Sequence, residues 1–333
     1  MAGRRTNLAL AGIVLLALGT GLASYALGTS SGRAVVIAHG IAGLSLLVLA
    51  PWKSVIAARG LGRMRPGRLL SILLAVAAVL TVATGVLFST GLVLRYGSLT
   101  AIQLHVGAGV ATTLLVLLHM RKRPVRPRLT DLSRRNLLRT GSLAAVAGVV
   151  WLGIEGTARA AGWRGSDRRF TGSHETGSFD PPRMPVTQWF NDSVPRIDTS
   201  AWQLSIRAGE PRSLNYAQLT EYNDQVEATI DCTGGWYATQ EWTGVRLDQL
   251  LGPLKGGSLR VVSFTGYERR IPTEHARQVW LAHSVGGRPL SVGHGAPARL
   301  VVPNRRGFWW VKWVTEITHD TRPAWWQLPF PAS

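Results

Sequence analysis

The chain contains one cysteine, Cys232, and its context is the first candidate for chemistry. It follows Ile230-Asp231 at the end of an apolar stretch and precedes a Gly234-Gly235 turn. A lone cysteine cannot form an intramolecular disulfide, so the chain has no disulfide framework. A thiolate is a soft donor that selects soft metals over hard cations, and coordination keeps the sulfur deprotonated. At this level an inert core cysteine is the alternative to a metal ligand.

Three separated sequence blocks resemble the molybdopterin-binding domain of the sulfite oxidase family. The first contains Cys232 and runs over residues 230–237, followed by Trp242-Thr243-Gly244-Val245-Arg246-Leu247. The second runs over 293–303 and continues through Gly307 to Val311-Lys312-Trp313-Val314, and the third covers 281–290. The blocks occur in the family's order and span roughly residues 183–320.

This resemblance implies a molybdenum-molybdopterin cofactor and assigns roles to five residues. Cys232 would be the molybdenum ligand and the catalytic centre, while His294, Arg299 and Lys312 match the family's pterin-holding positions. Arg can clamp an anionic phosphate bidentately, Lys supplies a point charge, and His offers a directional hydrogen bond. Asn191 matches an early segment that touches the pterin. The implied activity is a molybdopterin-dependent oxidoreductase with a small-molecule substrate.

The sequence departs from the sulfite oxidase pattern in two places. Residues 185–195 contain no counterpart of the arginine that binds sulfite in the family, and about 20 residues follow Lys312, so we expect no C-terminal dimerisation domain. Sulfite is therefore a doubtful substrate. The short domain is more similar to the periplasmic methionine-sulfoxide reductase branch, which works with a separate haem-containing membrane subunit.

Charge divides the 333 residues into two unlike parts. Residues 1–130 carry 14 Lys or Arg and no acid, whereas residues 131–333 carry 23 basic and 18 acidic residues, so the net +19 is +14 plus +5. An evenly basic chain would suggest nucleic acid. Here the cations of the first part lie between apolar runs, which argues against a nucleic-acid partner.

Four apolar runs in the first part are long enough to cross a bilayer, which takes about 20 helical residues. They cover residues 8–27, 34–51, 69–92 and 100–120. Cations precede the first run, separate the second from the third and follow the fourth, while the opposite loops hold only Arg33 and Arg95. By the positive-inside rule, both ends of this four-helix unit are cytoplasmic and lipid surrounds it.

A fifth apolar run at 140–154 follows Ser133-Arg134-Arg135-Asn136-Leu137-Leu138. Consecutive arginines before a modest Ala/Gly/Val run are typical of a twin-arginine export signal, and ordinary juxtamembrane charge is the alternative. Twin-arginine machinery carries folded proteins, so such a signal predicts a cofactor in the part that follows. Ala158-Arg159-Ala160 is only a weak cleavage site, and we expect the helix to remain as an anchor.

Histidines inside the predicted spans suggest a haem. Intramembrane ionisable residues are functional candidates by default. His39 and His105 lie at similar depths in the second and fourth runs, and Gly40, Gly43, Gly107 and Gly109 would leave room for a ring bound between two imidazoles. The positions that would pair with His119 hold Trp52 and Lys53, so we expect one b-type haem with iron ligands His39 and His105, and an interfacial His119. A plain contact between His39 and His105 is the alternative.

The second part has the pattern of a mixed α+β domain. We predict a linker at 162–183, strands at 202–207, 259–264 and 299–302, and helices at 215–221, 247–251 and 273–282. The remaining histidines, His174, His275, His283 and His319, have no metal-site spacing and are expected to be surface or structural. Trp325 and Trp326 are expected to face the membrane or cap the core, and Arg305 and Arg306 to meet an anion or to lie in a solvated loop.

The sequence therefore predicts an all-α transmembrane bundle followed by an α+β sulfite oxidase-type domain. The expected divisions are 1–125 for four helices, 126–162 for the twin-arginine-like segment with a fifth helix, and 163–333 for the cofactor domain. We expect a multi-pass protein of the bacterial cytoplasmic membrane with that domain outside, transferring oxygen atoms and exchanging electrons through a haem, a quinone or a cytochrome. A non-catalytic b-type cytochrome with a degenerate soluble domain is the alternative.

Overall fold

Five long helices form the first part of the chain in the computed structural model. They are α1 (Ala2–Ala26), α2 (Gly32–Leu61), α3 (Arg68–Thr90), α4 (Ala101–Lys122) and α5 (Arg134–Ala160). The structure describes residues 2–61, 67–122, 124–128, 131, 133–189 and 192–331. Within those ranges all five helices are long and apolar enough to cross a membrane. Many of their large apolar side chains are exposed, among them Leu16 of α1, Val79 of α3 and Val149 of α5.

These helices form one unit together with the start of the connector that follows them. The unit comprises Met1–Tyr25 and Ser30–His174. Inside it α3 packs on α4 and α2 on α5, and a two-residue hairpin of β1 (Arg95–Tyr96) and β2 (Leu99–Thr100) joins α3 to α4. Gly165, in the 3-10 turn Arg164–Asp167, touches the end of α3, and a Cβ built there would lie 2.2 Å from the Ser89 carbonyl oxygen. Part of the predicted 162–183 linker is therefore packed structure.

Two β-sheets make up the second unit, which comprises Ala26–Thr29 and Glu175–Ser333. The strands of the first sheet are β3 (His174–Glu175), β6 (Asp224–Cys232), β7 (Trp236–Arg246), β10 (Trp280–Val285), β11 (Arg288–Pro289) and β12 (Arg299–Val301). Its order is β11-β10-β7-β3, with β12 on β10 and β6 on β7. The named pairs of β6, β7, β10, β11 and β12 are antiparallel.

The second sheet has the order β5-β4-β13-β8-β9. Its strands are β4 (Gln203–Arg207), β5 (Arg212–Asn215), β8 (Ser258–Ser263), β9 (Glu268–Pro272) and β13 (Val314–Asp320), and β4 pairs with β13 in parallel. Two short helices, α6 (Tyr216–Thr220) and α7 (Leu247–Leu251), connect strands. Asn215 caps α6 by accepting from the Gln218 N–H at 2.9 Å while the Gln218 side chain accepts from the Asn215 N–H, a capping box.

The core of this unit is one apolar cluster to which both sheets contribute. Trp242 and Leu281 of the first sheet and Leu204 and Ile317 of the second are fully buried. Burying each such side chain stabilises the fold by about 1.5–3 kcal/mol. The Trp242 indole N–H donates to the Ala228 carbonyl at 3.1 Å, which satisfies its one polar atom.

Most predicted elements of this unit are present with slightly shifted ends, and one prediction is wrong. Residues 273–282 were expected to form a helix, but they hold the 3-10 turn Thr273–Gln278 followed by the start of β10. Trp280 and Leu281 pair with both β7 and β12, so the sheet overrides the local helical pattern. The fold class, apolar helices followed by a mixed α+β domain, is as expected.

A substitution at Gly244 tests the pairing of β7 with β10. A Cβ built on Gly244 would lie 2.0 Å from the Leu281 carbonyl oxygen, so Gly244→Ala must push the strands apart. We expect it to lower the free energy of unfolding by at least about 2 kcal/mol. The measurement is denaturant unfolding of the purified chain followed by tryptophan fluorescence. Gly234→Ala, where the nearest contact of a built Cβ is an ordinary 3.4 Å, is the control, and equal effects would contradict the assignment.

Candidate active site

Cys232 is the last residue of β6, and the turn that follows it fixes the position of its sulfur. Cys232 lies opposite Trp236 across the β6–β7 pair. Gly235 has a φ of 88°, a conformation that favours glycine. The Gly234 N–H donates to Sγ of Cys232 at 3.3 Å, and the Gly235 N–H donates to the Cys232 carbonyl at 3.0 Å. The thiol is thus held at the closed end of a hairpin.

The Cys232 side chain lines a pocket of about 620 Å³, part of which is open solvent. The wall combines residues 185, 187–189 and 192 with residues from the ends of β6, β8 and β12 and from the segment before β13. Much of it is aromatic or polar and uncharged, and these residues are Thr187, Gln188, Trp189, Thr233, Trp236, Ser263, Tyr267, Phe308 and Trp310. The charged members of the described lining are Arg299, Lys312 and Asp192.

Arg299 is a buried cation with a spare hydrogen-bond donor. It lies on β12 and is 3 % exposed, between the indoles of Trp242 and Trp310, whose centroids are 5.4 and 5.7 Å from its guanidinium carbon. One Nη donates to the His294 carbonyl at 2.9 Å. Within the described residues its Nε has no hydrogen-bond partner. Buried donors are normally satisfied, so this one indicates an acceptor from a bound group.

Lys312 places a second cation in the same pocket. Its Nζ donates to the carbonyls of Thr187 at 2.8 Å and Gly293 at 2.6 Å, which are neutral acceptors. Burial, followed by the charge of Arg299, lowers the pKa of Lys312 from its ordinary 10.5 to about 7. Burial also lowers the pKa of Arg299 to about 10. Two buried cations facing one carboxylate, Asp192, make a site suited to an anion.

The Cys232 thiol is a third buried group in this pocket that a bound partner would stabilise. Burial raises the pKa of Cys232, and this effect is opposed by the Gly234 N–H, the charge of Arg306 and the Thr187 hydroxyl. A coordinated metal would stabilise the thiolate directly. The pocket therefore combines the soft sulfur donor of Cys232, the spare Nε donor of Arg299 and the charge of Lys312. These three groups fit a ligand that joins a soft metal to an anionic phosphate.

A comparison with protein families agrees with this donor set. Residues 191–326 match the family model described as the oxidoreductase molybdopterin binding domain. The match covers most of the second unit and includes Cys232, Arg299 and Lys312. It supports a molybdopterin-dependent oxidoreductase.

The relatives that this chain matches include nitrate reductases and sulfite oxidases. The chain is 28% identical over 201 residues to the nitrate reductase [NAD(P)H] of Hordeum vulgare, covering 45% of this chain and 23% of that protein. It is 27% identical over 176 residues to the mitochondrial sulfite oxidase of Rattus norvegicus, covering 40% and 32%. The chain thus spans less than a third of the length of either relative.

A solved structure, the sulfane dehydrogenase SoxCD from Paracoccus pantotrophus, shares 25% sequence identity with the chain. The alignment covers 39% of this chain and 40% of that one, with a TM-score of 0.37.

The predicted cofactor residues of the second unit fall into three groups. Cys232, Arg299 and Lys312 line the pocket together. His294 is not part of the described lining, because its Nε2 donates to the Met184 carbonyl at 2.9 Å and its Nδ1 bonds the Ser291 hydroxyl at 2.9 Å. Its carbonyl instead holds Arg299, so His294 supports the pocket wall. Asn191 lies outside the described residues.

Sequence reasoning missed several residues of the pocket. Thr187 contacts two of its members, since its hydroxyl accepts from the Trp236 indole at 3.1 Å and its carbonyl accepts from Lys312. Tyr267 lines the pocket, and its hydroxyl donates to the Phe308 carbonyl. No motif signalled these positions. Arg306 does not lie in a solvated loop, because it is 4 % exposed and paired with Asp231.

Three of the histidines expected to be surface or structural form hydrogen bonds to main-chain carbonyls. His283 is buried and bonds the Tyr222 carbonyl at 2.9 Å, and His319 bonds the Gly256 carbonyl at 2.9 Å. His174 of the first unit is buried and bonds the Phe88 carbonyl at 2.8 Å. Trp325 and Trp326 are 75 and 58 % exposed, so they do not cap the core.

In the first unit, His39 of α2 and His105 of α4 meet with their Nε2 atoms 3.5 Å apart. Nδ1 of His39 lies 2.9 Å from the Ala17 carbonyl, and Nδ1 of His105 lies 2.8 Å from the Thr81 carbonyl. A carbonyl can only accept, so each Nδ1 carries the proton. In the neutral rings two Nε2 lone pairs therefore point at each other.

The glycines around this histidine pair differ from those predicted. Gly21 and Gly85 pack on the rings, where built Cβ atoms would lie 3.1 Å from His39 and 2.9 Å from His105. Gly40 packs on Trp151 instead, and Gly43 and Gly107 have no neighbour within 4 Å of a built Cβ. The close approach of helices to the imidazoles thus depends on glycines outside the predicted set.

Lys312 makes the stability of the cofactor-free protein depend on pH. Its pKa in the folded state, about 7, lies below the ordinary 10.5, so the unfolded chain binds more protons between these values. Stability should therefore increase as pH rises from about 7 towards 10. We expect Lys312→Met to flatten this slope in denaturant unfolding of protein from a host unable to make the cofactor. An unchanged slope in the variant would contradict the low pKa.

Proposed function

We propose that this chain is a membrane-anchored molybdenum–pterin oxidoreductase that transfers an oxygen atom to or from a small substrate outside the cytoplasmic membrane. The observation that carries the proposal is one pocket holding the Cys232 thiol, the spare Nε donor of Arg299 and the Lys312 ammonium. These residue types suit the metal and the anionic part of one cofactor.

The protein residues position the cofactor and exclude water. Cys232 would hold the molybdenum, and Arg299 and Lys312 would hold the anionic pterin through charge-assisted hydrogen bonds. When bound, the group supplies two-electron oxygen-atom transfer. The Thr187 carbonyl keeps the Lys312 ammonium in place, and the aromatic wall of Trp189, Trp236 and Phe308 limits solvent.

The described lining favours a neutral substrate over an anionic one. Its cations, Arg299 and Lys312, are assigned to the cofactor, and its remaining charged group is the carboxylate of Asp192. A carboxylate in the pocket lining repels sulfite or nitrate and tolerates a neutral sulfoxide or N-oxide. This agrees with the resemblance to the periplasmic methionine-sulfoxide reductase branch. Nitrate and sulfite remain the substrates named for the relatives.

Membrane anchoring is supported by the pattern of charge around the five helices. Basic residues lie in the first turn of α1 and follow α2 and α4, whereas the turns after α1 and α3 hold few. With five spans and a cytoplasmic start, the chain after Ala160 is extracytoplasmic. Arg4, in the first turn of α1, pairs with Asp131 just before α5, which is consistent with these two helix starts lying on the same side.

The twin-arginine hypothesis is supported by the first turns of α5. Arg134, Arg135 and Arg139 begin a helix that has no acid in its first turn. Cations at a helix N-terminus oppose the helix dipole, so these residues do not stabilise α5. Recognition by export machinery gives them a role that helix stability does not.

A haem between His39 and His105 is supported by the geometry of the two rings. A metal-to-imidazole bond is about 2.0–2.1 Å, so a shared metal needs Nε2 atoms roughly 4 Å apart. The observed 3.5 Å is within a small adjustment of that value. Carbonyl acceptors on both Nδ1 atoms fix the tautomer that leaves Nε2 free to coordinate. Such a haem would carry single electrons to or from a quinone or a cytochrome.

Metal and pterin analysis of the full chain tests the enzymatic proposal. Protein made in a host that synthesises the cofactor should contain about one molybdenum per chain, and Cys232→Ala should lose most of it. The wild type should reduce sulfoxides or N-oxides with an artificial electron donor faster than it turns over sulfite or nitrate.

Two outcomes would overturn parts of this proposal. A correctly folded wild type without molybdenum or pterin would leave the alternative of a non-catalytic cytochrome. Full metal loading with turnover only of sulfite or nitrate would contradict the preference for a neutral substrate. Thr315→Ala, on β13 outside the described lining, is the control for the purification and assay.

Removal of either histidine tests the haem. We expect His39→Ala and His105→Ala each to abolish the b-type bands in the reduced spectrum, because each removes one of two iron ligands. His119→Ala, in the last turn of α4, should keep them. A wild-type spectrum without haem bands, or bands that survive both changes, would contradict the assignment.

A further inference from the structure

A buried ion pair lies directly behind the Cys232 ligand position. Asp231 and Arg306 have side chains that are 3 % and 4 % exposed, and an Arg306 Nη donates to an Asp231 carboxylate oxygen. The two residues also form an isolated parallel β-bridge between β6 and the segment before Gly307. Removing charges from water is costly, so a buried pair beside a functional residue requires an explanation other than stability.

Arg306 also reaches the backbone of Cys232 itself. Its other Nη donates to the Cys232 carbonyl at 3.2 Å, so one planar guanidinium joins the Asp231 carboxylate to the residue that carries the sulfur. The next residue, Gly307, approaches so closely that a built Cβ would lie 3.2 Å from the Cys232 Cα. The end of β6 is therefore fixed by the turn on one side and by Arg306 and Gly307 on the other.

We propose that Arg306 is a positioning residue for the molybdenum ligand, clamping the end of β6 and giving the metal site a buried positive charge. This inference rests on the proposed function. A lysine could not replace it fully, because a guanidinium bridges two acceptors in a fixed plane and an ammonium is a single point charge. The charge of Arg306 acts on the Cys232 thiol that would hold the metal, and it would favour the more reduced, more negative state of the site.

Opposite changes to the two partners separate this role from a structural one. Arg306→Met removes the positive charge and should lower the midpoint potential of the molybdenum couples. Asp231→Asn leaves the positive charge unopposed and should raise it. The measurement is a redox titration of the full chain followed by the electron paramagnetic resonance signal of molybdenum(V). Shifts in the same direction, or no shift in either variant, would overturn the proposal.

Three further variants complete the design. Arg305→Met makes the same change one residue away, where the guanidinium stacks 5.0 Å from the Trp309 ring centroid, and should leave the potential unchanged. Arg306→Lys keeps the charge and loses the bridge, so its potential should stay near wild type while its molybdenum(V) spectrum broadens. If Arg306→Met fails to fold, the double change Asp231→Asn with Arg306→Met removes both charges, and its potential should lie below that of Asp231→Asn alone.

A second readout needs no molybdenum. Cys232 is the single cysteine, so iodoacetamide labelling of cofactor-free protein reports on this thiol alone. Arg306→Met should slow alkylation and Asp231→Asn should speed it, because the nearby positive charge favours the reactive thiolate. A chain without molybdenum would end the proposed function. Equal alkylation rates in both variants and the wild type would overturn the role of Arg306 independently of that result.

Discussion

The burial of a sulfur and two cations in one pocket is the constraint on which the second unit depends. Cys232, Arg299 and Lys312 are each largely removed from water, although a thiolate, a guanidinium and an ammonium are all better solvated outside. The carbonyls that hold Lys312 and the indoles that flank Arg299 are neutral, so these groups do not compensate the two positive charges. A bound anionic group with a soft metal would provide that compensation. The strands of two sheets serve to hold these costly groups together.

Both units hold candidate metal-ligating side chains in fixed orientations, but they do so with different structural elements. In the helical unit, His39 and His105 are oriented by main-chain carbonyls one helix away, and glycines let those helices approach. In the sheet unit, a hairpin turn and Gly307 orient Cys232. In both units, main-chain atoms fix the position of a candidate metal-ligating side chain. Side-chain substitution does not remove these main-chain atoms. Such preorganisation lowers the cost of binding a metal group.

The sequence was most informative where a local pattern carries the signal. The block around Cys232 and the block from His294 to Lys312 predicted the pocket, and long apolar runs predicted the helices. The same approach could not find the pairing of Asp231 with Arg306, because these residues are 75 positions apart and only the β-bridge makes them neighbours. It also predicted a helix at 273–282, where sheet pairing of Trp280 and Leu281 decides the structure.

His294 shows a second limit of pattern reasoning. The motif identifies the residue, but only the fold reveals that both ring nitrogens are already bonded and that its carbonyl is the functional atom towards Arg299. A sequence pattern gives the identity of a residue but does not show which of its atoms makes the contact. The same holds for Thr187, whose main-chain oxygen rather than its side chain receives the Lys312 ammonium.

The position of β13 has a consequence for the order of biosynthesis. This strand, Val314–Asp320, follows the other described strands of its sheet in the sequence, yet it lies between β4 and β8 inside that sheet. Until it has been synthesised, β4 and β8 expose the edges that β13 will cover, and Ile317 has not yet joined the core. Partly synthesised chains therefore expose unpaired strand edges, which favour aggregation until β13 has emerged.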